Sequence, residues 1–183
     1  MHIGNDIIDL TDSENIRSFS SLKYINKILN DTELYQIDKI NIKYLPELFW
    51  TCKECAYKIM LKKGLNKAFS PKKFLVELIN KDPFVLKVHY FNNTMSCKSL
   101  IYNNKYIHTW GGDSSSFYGI KTLIKETQQQ IIKHISEKIN INEKRIIINK
   151  KNGIPFLVIK PENTTKEISF SHDGKYYASA WLE

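Results

Sequence analysis

The sequence predicts an α+β fold in which helices pack against a largely antiparallel sheet. Three segments place apolar residues at helical spacing, and short runs between turn residues alternate as β-strands do. The 183 residues are close to the usual size of one globular unit, so we expect a single domain over residues 1–183. Hydrophobic residues make up 42% and charged residues 25%, which excludes a globally disordered chain.

The N-terminal part is predicted to hold one strand followed by helices. Residues 3–10 form a largely apolar run that carries Asp6, which predicts a short buried strand. Residues 14–30 have helical spacing. A break in the pattern follows, and Asp31 or Thr32 is expected to cap the next helix.

A long helix and a second amphipathic helix give the clearest helical patterns. The first runs from about Pro46 to Lys63 and is ended by Gly64. The second covers residues 119–139, where isoleucines and leucines lie on one stripe after a loop at 111–116.

Alternating runs elsewhere predict strands, with Asn-Asn or Asn-Gly turns at 92–93, 103–104 and 152–153. The predicted strands are 74–79, 85–91, 98–102, 105–109, 145–149, 155–159, 167–171 and 176–182. Residues 75–144 are therefore a strand-rich segment that ends in the second amphipathic helix.

The chain is basic, with 27 Lys and Arg against 19 Asp and Glu, a net charge of +8. This balance favours a polyanionic partner, such as nucleic acid, a phosphorylated cofactor, an acidic protein or a membrane surface. No apolar run approaches the roughly 18 residues that span a bilayer, and the first residues lack the pattern of a signal peptide. We therefore expect a soluble, cytoplasmic protein.

The three cysteines fit a reducing compartment. Cys52 and Cys55 have Cys-x-x-Cys spacing, but the chain has no second such pair to complete a zinc ribbon. Both lie inside an apolar helical pattern rather than at the start of a helix after a strand. We therefore interpret them as buried core thiols.

Asp6, Glu54 and Lys58 are candidates for chemistry. An acid such as Asp6 in a buried strand is costly unless it is paired or bound to a metal. Glu54 and Lys58 are four residues apart and lie one helical turn apart on one face. The alternatives are a salt bridge or turn for Asp6 and an exposed ion pair for the other two.

A basic run and a histidine are further candidates. The run from Lys53 to Lys73 contains Lys62, Gly64 and Ser70, and its loop can hold phosphates through ammonium and backbone N–H groups. A solvated basic face is the alternative. Ser171-His172 ends an apolar strand, where a histidine can equally be structural.

Several motifs, taken in order, resemble the 4′-phosphopantetheinyl transferase superfamily. They are the Gly-x-Asp-Ile strand at 3–9, the segment 27–33, the Trp-x-x-Lys-Glu-x-x-x-Lys pattern at 50–58, the loop 64–74, the Gly-x-Pro turn at 152–155 and the Ser-His strand at 168–173. The pattern at 50–58 is the most specific, although Cys55 stands where the family has alanine or serine. The fold implied is that of the family, with residues 75–144 as an insert relative to its smaller, holo-acyl-carrier-protein-synthase-like subclass.

The resemblance implies transfer of 4′-phosphopantetheine from coenzyme A to a serine of an acidic acyl or peptidyl carrier protein, with release of adenosine 3′,5′-bisphosphate. It implies that Asp6 and Glu54 hold Mg²⁺, that Glu54 is the base and that Lys58 contacts the phosphates. The residues implied in coenzyme A binding are Lys53, Lys58, Lys62, Gly64, Ser70, Ser171 and His172. The pathway implied is fatty acid or polyketide biosynthesis, without a choice between them.

Ile8 stands where the larger subclass has a second metal-binding acid, which places the metal motif nearer the smaller subclass. That subclass builds its site between the subunits of a trimer, so we expect an intersubunit site here. The alternative is that the insert completes the site within one chain.

Two other functions remain open. Basic charge together with Tyr102, Tyr106 and Trp110 on predicted strands would suit a nucleic-acid-binding domain, although no such motif is present. A carrier-protein-binding pseudoenzyme would keep the fold without the chemistry, and the presence of Asp6 and Glu54 opposes it.

Overall fold

The computed structural model describes residues 1–66, 68–114, 120–125 and 127–182. These residues form five α-helices and ten β-strands, and the strands make two antiparallel five-stranded sheets. The mixture of helices and antiparallel strands is as predicted, but there are two sheets where the sequence suggested one. No helix in the part of the chain that the structure describes is long and apolar enough to cross a membrane.

The first half of the chain forms the first sheet and four helices. The strands are β1 (Ile3–Asp9), β2 (Leu75–Lys81), β3 (Phe84–Tyr90), β4 (Asn93–Tyr102) and β5 (Tyr106–Gly112), in the order β1-β5-β4-β3-β2. The helices are α1 (Ser13–Phe19), α2 (Leu22–Ile28), α3 (Asp31–Lys39) and α4 (Leu45–Lys62), followed by a short 3₁₀ helix, Pro71–Lys73.

The second half forms the second sheet and one helix. Its elements are β6 (Ile120–Lys125), α5 (Gln128–Lys138), a 3₁₀ helix Glu143–Arg145, β7 (Ile146–Lys151), β8 (Ile154–Ile159), β9 (Thr164–Asp173) and β10 (Tyr176–Leu182), and the strand order is β6-β10-β9-β8-β7. Each half therefore has the same topology: one strand, then helix, then a four-stranded meander whose last strand pairs with the first strand.

The long helix was predicted correctly, but the predictions for the helical segment before it and for the cap of α3 were not. Helix α4 confirms the helix expected from Pro46, but residues 14–30 form two helices because Ser21 caps α2. The cap of α3 is Asn30, whose side chain accepts the backbone N–H of Glu33 while the Glu33 carboxylate accepts the N–H of Asn30. The expectation of Asp31 or Thr32 as the cap was wrong because this reciprocal pair satisfies the helix end one residue earlier.

The predicted helix over residues 119–139 was wrong in its first part. Ile120–Lys125 is strand β6, paired with β10, and α5 begins only after the cap Thr127. Pairing with β10 overrides the local helical spacing of the isoleucines. Of the predicted loop 111–116, the first two residues belong to β5, and 115–116 lie outside the described residues.

Each sheet buries a helix and has its own hydrophobic core. Helix α4 packs on β1 and β5 and contributes Leu48, Phe49 and Ile59 to the first core. Helix α5 contributes Ile131 and Ile135 to the second. The three cysteines are free and buried in the first core, with the Cys55 and Cys97 sulfurs 3.9 Å apart, which confirms the core-thiol interpretation.

Strand β1 is buried along its whole length because α4 covers one of its faces. The approach is closest at Gly4, where a Cβ atom would lie 2.3 Å from the Cys55 carbonyl oxygen. Only glycine fits between the strand and the helix backbone at this position. The Gly-x-Asp pattern thus has a packing cause, and it places Asp6 beside α4.

The other side of β1 is held by side chains of β9. Beyond its pairing with β5, β1 has a free backbone edge, whose N–H groups need acceptors. The N–H groups of Ile3, Asn5 and Asp9 donate to three side chains of β9: Glu167 at 3.5 Å, Ser169 at 3.1 Å and Asp173 at 2.7 Å. The two halves are joined through this edge.

A buried ion pair fixes the loops around α4. Lys53 and Glu33 are fully buried, with Lys53 Nζ 2.6 Å from Glu33 Oε2. Lys53 also donates to the carbonyl oxygens of Ile28 and Pro71, and Glu33 accepts the N–H of Val76. Burial raises the pKa of Glu33 and lowers the pKa of Lys53, and the pairing opposes both shifts.

We predict that Gly4→Ala lowers the free energy of unfolding by about 1–3 kcal/mol, the usual cost of overpacking. The added methyl group would meet backbone, which cannot rotate away. Chemical denaturation measures the change, and Gly112→Ala is the matched control because its Cβ would lie 3.3 Å from the nearest atom. Equal stability of both variants would contradict the close approach.

We predict that Lys53→Met lowers the free energy of unfolding by about 3–5 kcal/mol, because the Glu33 carboxylate is left buried without its partner. Combining it with Glu33→Gln should recover part of the loss, since no unpaired charge then remains. Denaturation of the two variants provides the measurement. A single variant as stable as the double variant would show that the pair is not buried as described.

Candidate active site

Asp6 and Lys58 form an ion pair at the junction of β1 and α4. Lys58 Nζ lies 2.9 Å from Asp6 Oδ1 and 2.9 Å from the Asn5 carbonyl oxygen. The Asp6 side chain is 13% exposed and that of Lys58 26% exposed. Burial raises the pKa of Asp6, the charge of Lys58 opposes this, and the charge of Asp173 adds to it.

Glu54 lies one turn before Lys58 on α4 and is half-buried. Burial and the nearby charge of Asp6 raise the pKa of Glu54 to about 7, against the opposing effect of Lys58. A carboxyl group with this pKa exchanges a proton near neutral pH, which suits a general base. Asp6 and Lys58 are in direct contact, and Glu54 lies close enough for their charges to change its pKa.

Asp173 brings the second half to this cluster. Its carboxylate accepts hydrogen bonds from the Asp9 N–H at 2.7 Å and from Asn15 Nδ2 at 2.5 Å. Gly174 follows at φ +51°, where a Cβ atom would lie 2.5 Å from Asp9 Oδ2. The end of β9 is thus fixed against the end of β1, with Asp173 close enough to act on Asp6.

Ser171 and His172 line a cavity of about 370 Å³ beside this junction. Ser171 faces β1 and accepts a hydrogen bond from Asn5 Nδ2 at 2.9 Å. His172 is exposed and stacks on Tyr177 at 5.5 Å between ring centroids. Lys150 and Gly153 of the β7–β8 hairpin also line the cavity, so its wall carries a cation.

Lys62 and Gly64 line a different cavity, of about 570 Å³, between the end of α4 and the same hairpin. Lys62 Nζ is 2.6 Å from Glu167 Oε2, and His2 Nδ1 is 2.7 Å from Glu167 Oε1. Pro155 contributes to both cavities. Four of the predicted cofactor-binding residues thus lie along two cavities that share Pro155 of the hairpin: Lys62 and Gly64 along one, Ser171 and His172 along the other. Lys62 is committed to an ion pair between the halves.

Lys53 and Ser70 do not lie where the motif comparison suggested. Lys53 has no exposed surface, and its three donors are used by Glu33 and two carbonyl oxygens, so we assign it a structural role instead of the expected contact with coenzyme A. Ser70 precedes the 3₁₀ helix and lines neither cavity. Lys67 of the basic run lies outside the described residues.

The acidic side chains of the site suit a cation whose remaining coordination comes from a bound substrate and water. Among the described residues, no group of three or more His, Cys, Asp and Glu side chains is placed to hold a metal. Asp6 and Glu54 supply two carboxylates, and burial together with the charge of Asp6 raises the pKa of Glu54. Mg²⁺ typically takes one or two carboxylates together with phosphate oxygens and waters, so the two acids fit it.

Sequence reasoning missed several residues of the junction. Asn5 and Asp173 were each quoted in a motif without a role, and Glu167 was not considered. The sequence did contain a signal for Asn5, because it is a polar residue next to Asp6 in a strand predicted to be buried. The partners of these residues lie more than 100 positions away in the chain, so spacing alone could not identify them.

The aromatic residues considered for nucleic-acid binding contact other rings. Tyr102 stacks on Tyr106 with ring centroids 5.2 Å apart, and Tyr106 contacts Tyr176 of the second half. Trp110 lies 5.3 Å from the buried ring of His108. These rings are therefore partly committed to packing within the protein.

We predict that Asp6→Asn lowers the pKa of Glu54 below about 7, because the neighbouring negative charge is removed. In the unsubstituted chain the carboxyl should be protonated below that pH and ionised above it. Carbon NMR of the Glu54 carboxyl across pH follows this directly. A titration midpoint that stays the same in the variant would show that the two acids do not interact.

Comparison with known proteins places the chain in a family. A family model of the 4′-phosphopantetheinyl transferase superfamily matches residues 2–110, more than half of the 183 residues. The match contains Asp6, Glu54 and Lys58, includes residues 75–110 and ends before Ser171. No curated protein and no solved structure matches the chain. The chain belongs to the 4′-phosphopantetheinyl transferase superfamily.

Proposed function

We propose that the chain transfers 4′-phosphopantetheine from coenzyme A to a serine hydroxyl of a carrier protein. The observation that carries this proposal is the cluster of Asp6, Glu54 and Lys58 at the junction of the two halves. Two acids and one lysine beside cavities with basic walls suit a reaction at a pyrophosphate.

In this proposal Glu54 is the base. It takes the proton of the carrier serine as the serine oxygen bonds to the phosphorus that carries pantetheine, and the bond to the leaving phosphate breaks. The products are the phosphodiester on serine and adenosine 3′,5′-bisphosphate. The pKa of about 7 lets Glu54 accept a proton at neutral pH and release it again.

Asp6 and Glu54 would hold Mg²⁺, which supplies charge neutralisation at the phosphoryl group. Lys58 keeps Asp6 in place through its 2.9 Å contact and offers a positive charge to the same phosphates. Ser171 and His172, with Lys150 across the cavity, would bind the nucleotide phosphates. Lys62 and Gly64 would line the adjoining space for the rest of coenzyme A.

We propose that the site is completed within one chain rather than between subunits of a trimer. The second half supplies Ser171 and Asp173 to β1 of the first half. This half includes β6 and α5, which lie in the segment considered an insert. That segment would then take the place of a neighbouring subunit.

An acidic carrier protein fits the charge of +8, whichever pathway it serves. Arg17 on α1 and Lys63 at the end of α4 are exposed and contact only Glu14 and Asn93 among the contacts described. We propose these two residues as the docking surface for the carrier protein. The neighbouring Lys62 is held by Glu167 and is a poor docking residue.

We predict that the chain adds 4′-phosphopantetheine to an apo carrier protein in the presence of coenzyme A and Mg²⁺. Glu54→Gln should reduce the rate by about 10²–10⁴-fold, the usual contribution of a general base. Mass spectrometry of the carrier detects the adduct, and circular dichroism verifies folding. Absence of the adduct with a panel of apo carriers, or full activity of the variant, would contradict the proposal.

We predict that Arg17→Glu with Lys63→Glu raises KM for the carrier protein and leaves KM for coenzyme A unchanged, because long-range attraction is lost. The effect should shrink as salt screens the charges. Lys81→Glu with Lys87→Glu is the charge-matched control, since both lysines are exposed and lie on β2 and β3, the strands farthest from β1 in the sheet. An equal change in the control would assign the effect to net charge.

A further inference from the structure

The junction holds a third acidic side chain, Asp173, beside the two that the proposed reaction uses. Its Oδ2 accepts the N–H of Asp9 at 2.7 Å and a hydrogen bond from Asn15 Nδ2 at 2.5 Å. Among the described residues, none donates a hydrogen bond to Oδ1, and the side chain is half-buried. One oxygen of this carboxylate can therefore accept a hydrogen bond from a ligand.

The free edge of β1 brings Asp173 close to Asp6. The N–H groups of alternate residues point to the same edge of a strand, so those of Ile7 and Asp9 are neighbours there, about 7 Å apart. The Asp6 carboxylate interacts with the first of these N–H groups, and the Asp173 carboxylate accepts the second. Burial raises the pKa of Asp6, and the charge of Asp173 raises it further, which agrees with this short separation.

Negative charge exceeds positive charge among these side chains. Lys58 is the cation that opposes the raised pKa of both Asp6 and Glu54. Asp173 has no ion pair within the part of the chain that the structure describes, and its two donors are uncharged N–H groups. The charge of Lys58 can offset one of these three partly buried acids, and the remaining excess is costly unless a bound cation offsets it.

The separation of Asp6 and Asp173 suits an indirect contact of Asp173 with a metal ion. Among the described residues, no three His, Cys, Asp or Glu side chains are placed to hold a metal together. Mg²⁺ keeps several of its waters when carboxylates bind it. A carboxylate oxygen, the ion, one coordinated water and the hydrogen bond of that water together span about 7 Å, which equals the spacing of the two N–H groups. Asp173 can thus reach the ion through one water.

We propose that Asp173 is a positioning residue of the cation site, where it accepts a hydrogen bond from a water bound to the Mg²⁺ that Asp6 and Glu54 hold. The inference rests on the proposed function, because that function supplies the metal. Asp173 adds negative charge and orients the bound water without bonding to the ion. The second half of the chain then takes part in metal binding as well as in holding β1.

Asp173→Asn tests this role, because it removes the charge but keeps an oxygen that can accept the N–H groups of Asp9 and Asn15. The probe is Mn²⁺, which favours the same oxygen ligands as Mg²⁺, and water-proton relaxation measures its affinity for the protein mixed with coenzyme A. The dissociation constant for Mn²⁺ should rise about tenfold, the lower end of the usual loss for a group that bonds to the ligands of a metal. An unchanged constant would overturn the inference.

Asp113→Asn is the matched control. The Asp113 carboxylate accepts the N–H of His2 at 2.9 Å, and His2 lies five residues before Ile7, about 17 Å away along an extended chain. The same substitution at this position should leave the affinity for Mn²⁺ unchanged. An equal loss in both variants would assign the effect to net charge and overturn the inference.

A measurement on the unsubstituted chain covers the case in which Asp173→Asn does not fold. Mn²⁺ broadens carboxyl carbon signals steeply with distance, so a small amount of it should broaden the signals of Asp6, Glu54 and Asp173 and leave that of Asp113 sharp. A sharp Asp173 signal beside broadened signals of Asp6 and Glu54 would overturn the inference alone. Failure of Mn²⁺ to broaden the signals of Asp6 and Glu54 would overturn the proposed function and this inference with it.

Discussion

The burial of strand β1 between α4 and β9 is the constraint on which the rest of the structure depends. One face of the strand admits only glycine at position 4, because the α4 backbone passes there. No described strand pairs with the other edge of β1, so the N–H groups there take acceptors from the side chains of Glu167, Ser169 and Asp173. The same contacts join the halves and place Asp6 at their junction.

This burial also explains the electrostatics of the site. Taking Asp6 and Glu54 partly out of water penalises their charged forms, and Lys58 offsets only part of that penalty. In the proposed reaction this arrangement provides a carboxylate that can accept a proton at neutral pH. It also provides two carboxylates that can bind a cation.

Local sequence patterns were sufficient to predict the long helix and the turn of the β7–β8 hairpin. Helix α4 has a continuous apolar face, and the Asn152-Gly153 turn adopts positive φ angles of 52° and 80° as such a hairpin requires. The segment 119–139 was misjudged because short isoleucine-rich runs fit helix and strand alike until β10 is present as a partner. Two equal sheets could not be predicted because their pairing is long-range.

For Lys53, the motif comparison and the helical spacing predicted different positions. It lies four residues after Phe49 and three before Ala56, both of which are buried, so helical spacing alone placed it on the core face. Glu54 and Lys58 lie on the half-exposed side, which agrees with the motif. The roles of Asn5 and Glu167 depend on partners in the other half and required the structure.

The claim that one chain holds a complete site is tested most directly by sedimentation velocity of the protein with coenzyme A and Mg²⁺, followed at the adenine absorbance. The account predicts that the nucleotide sediments with a species of 21.5 kDa, the mass of one chain. Nucleotide that sediments only with a trimer, or with no protein at all, would contradict it.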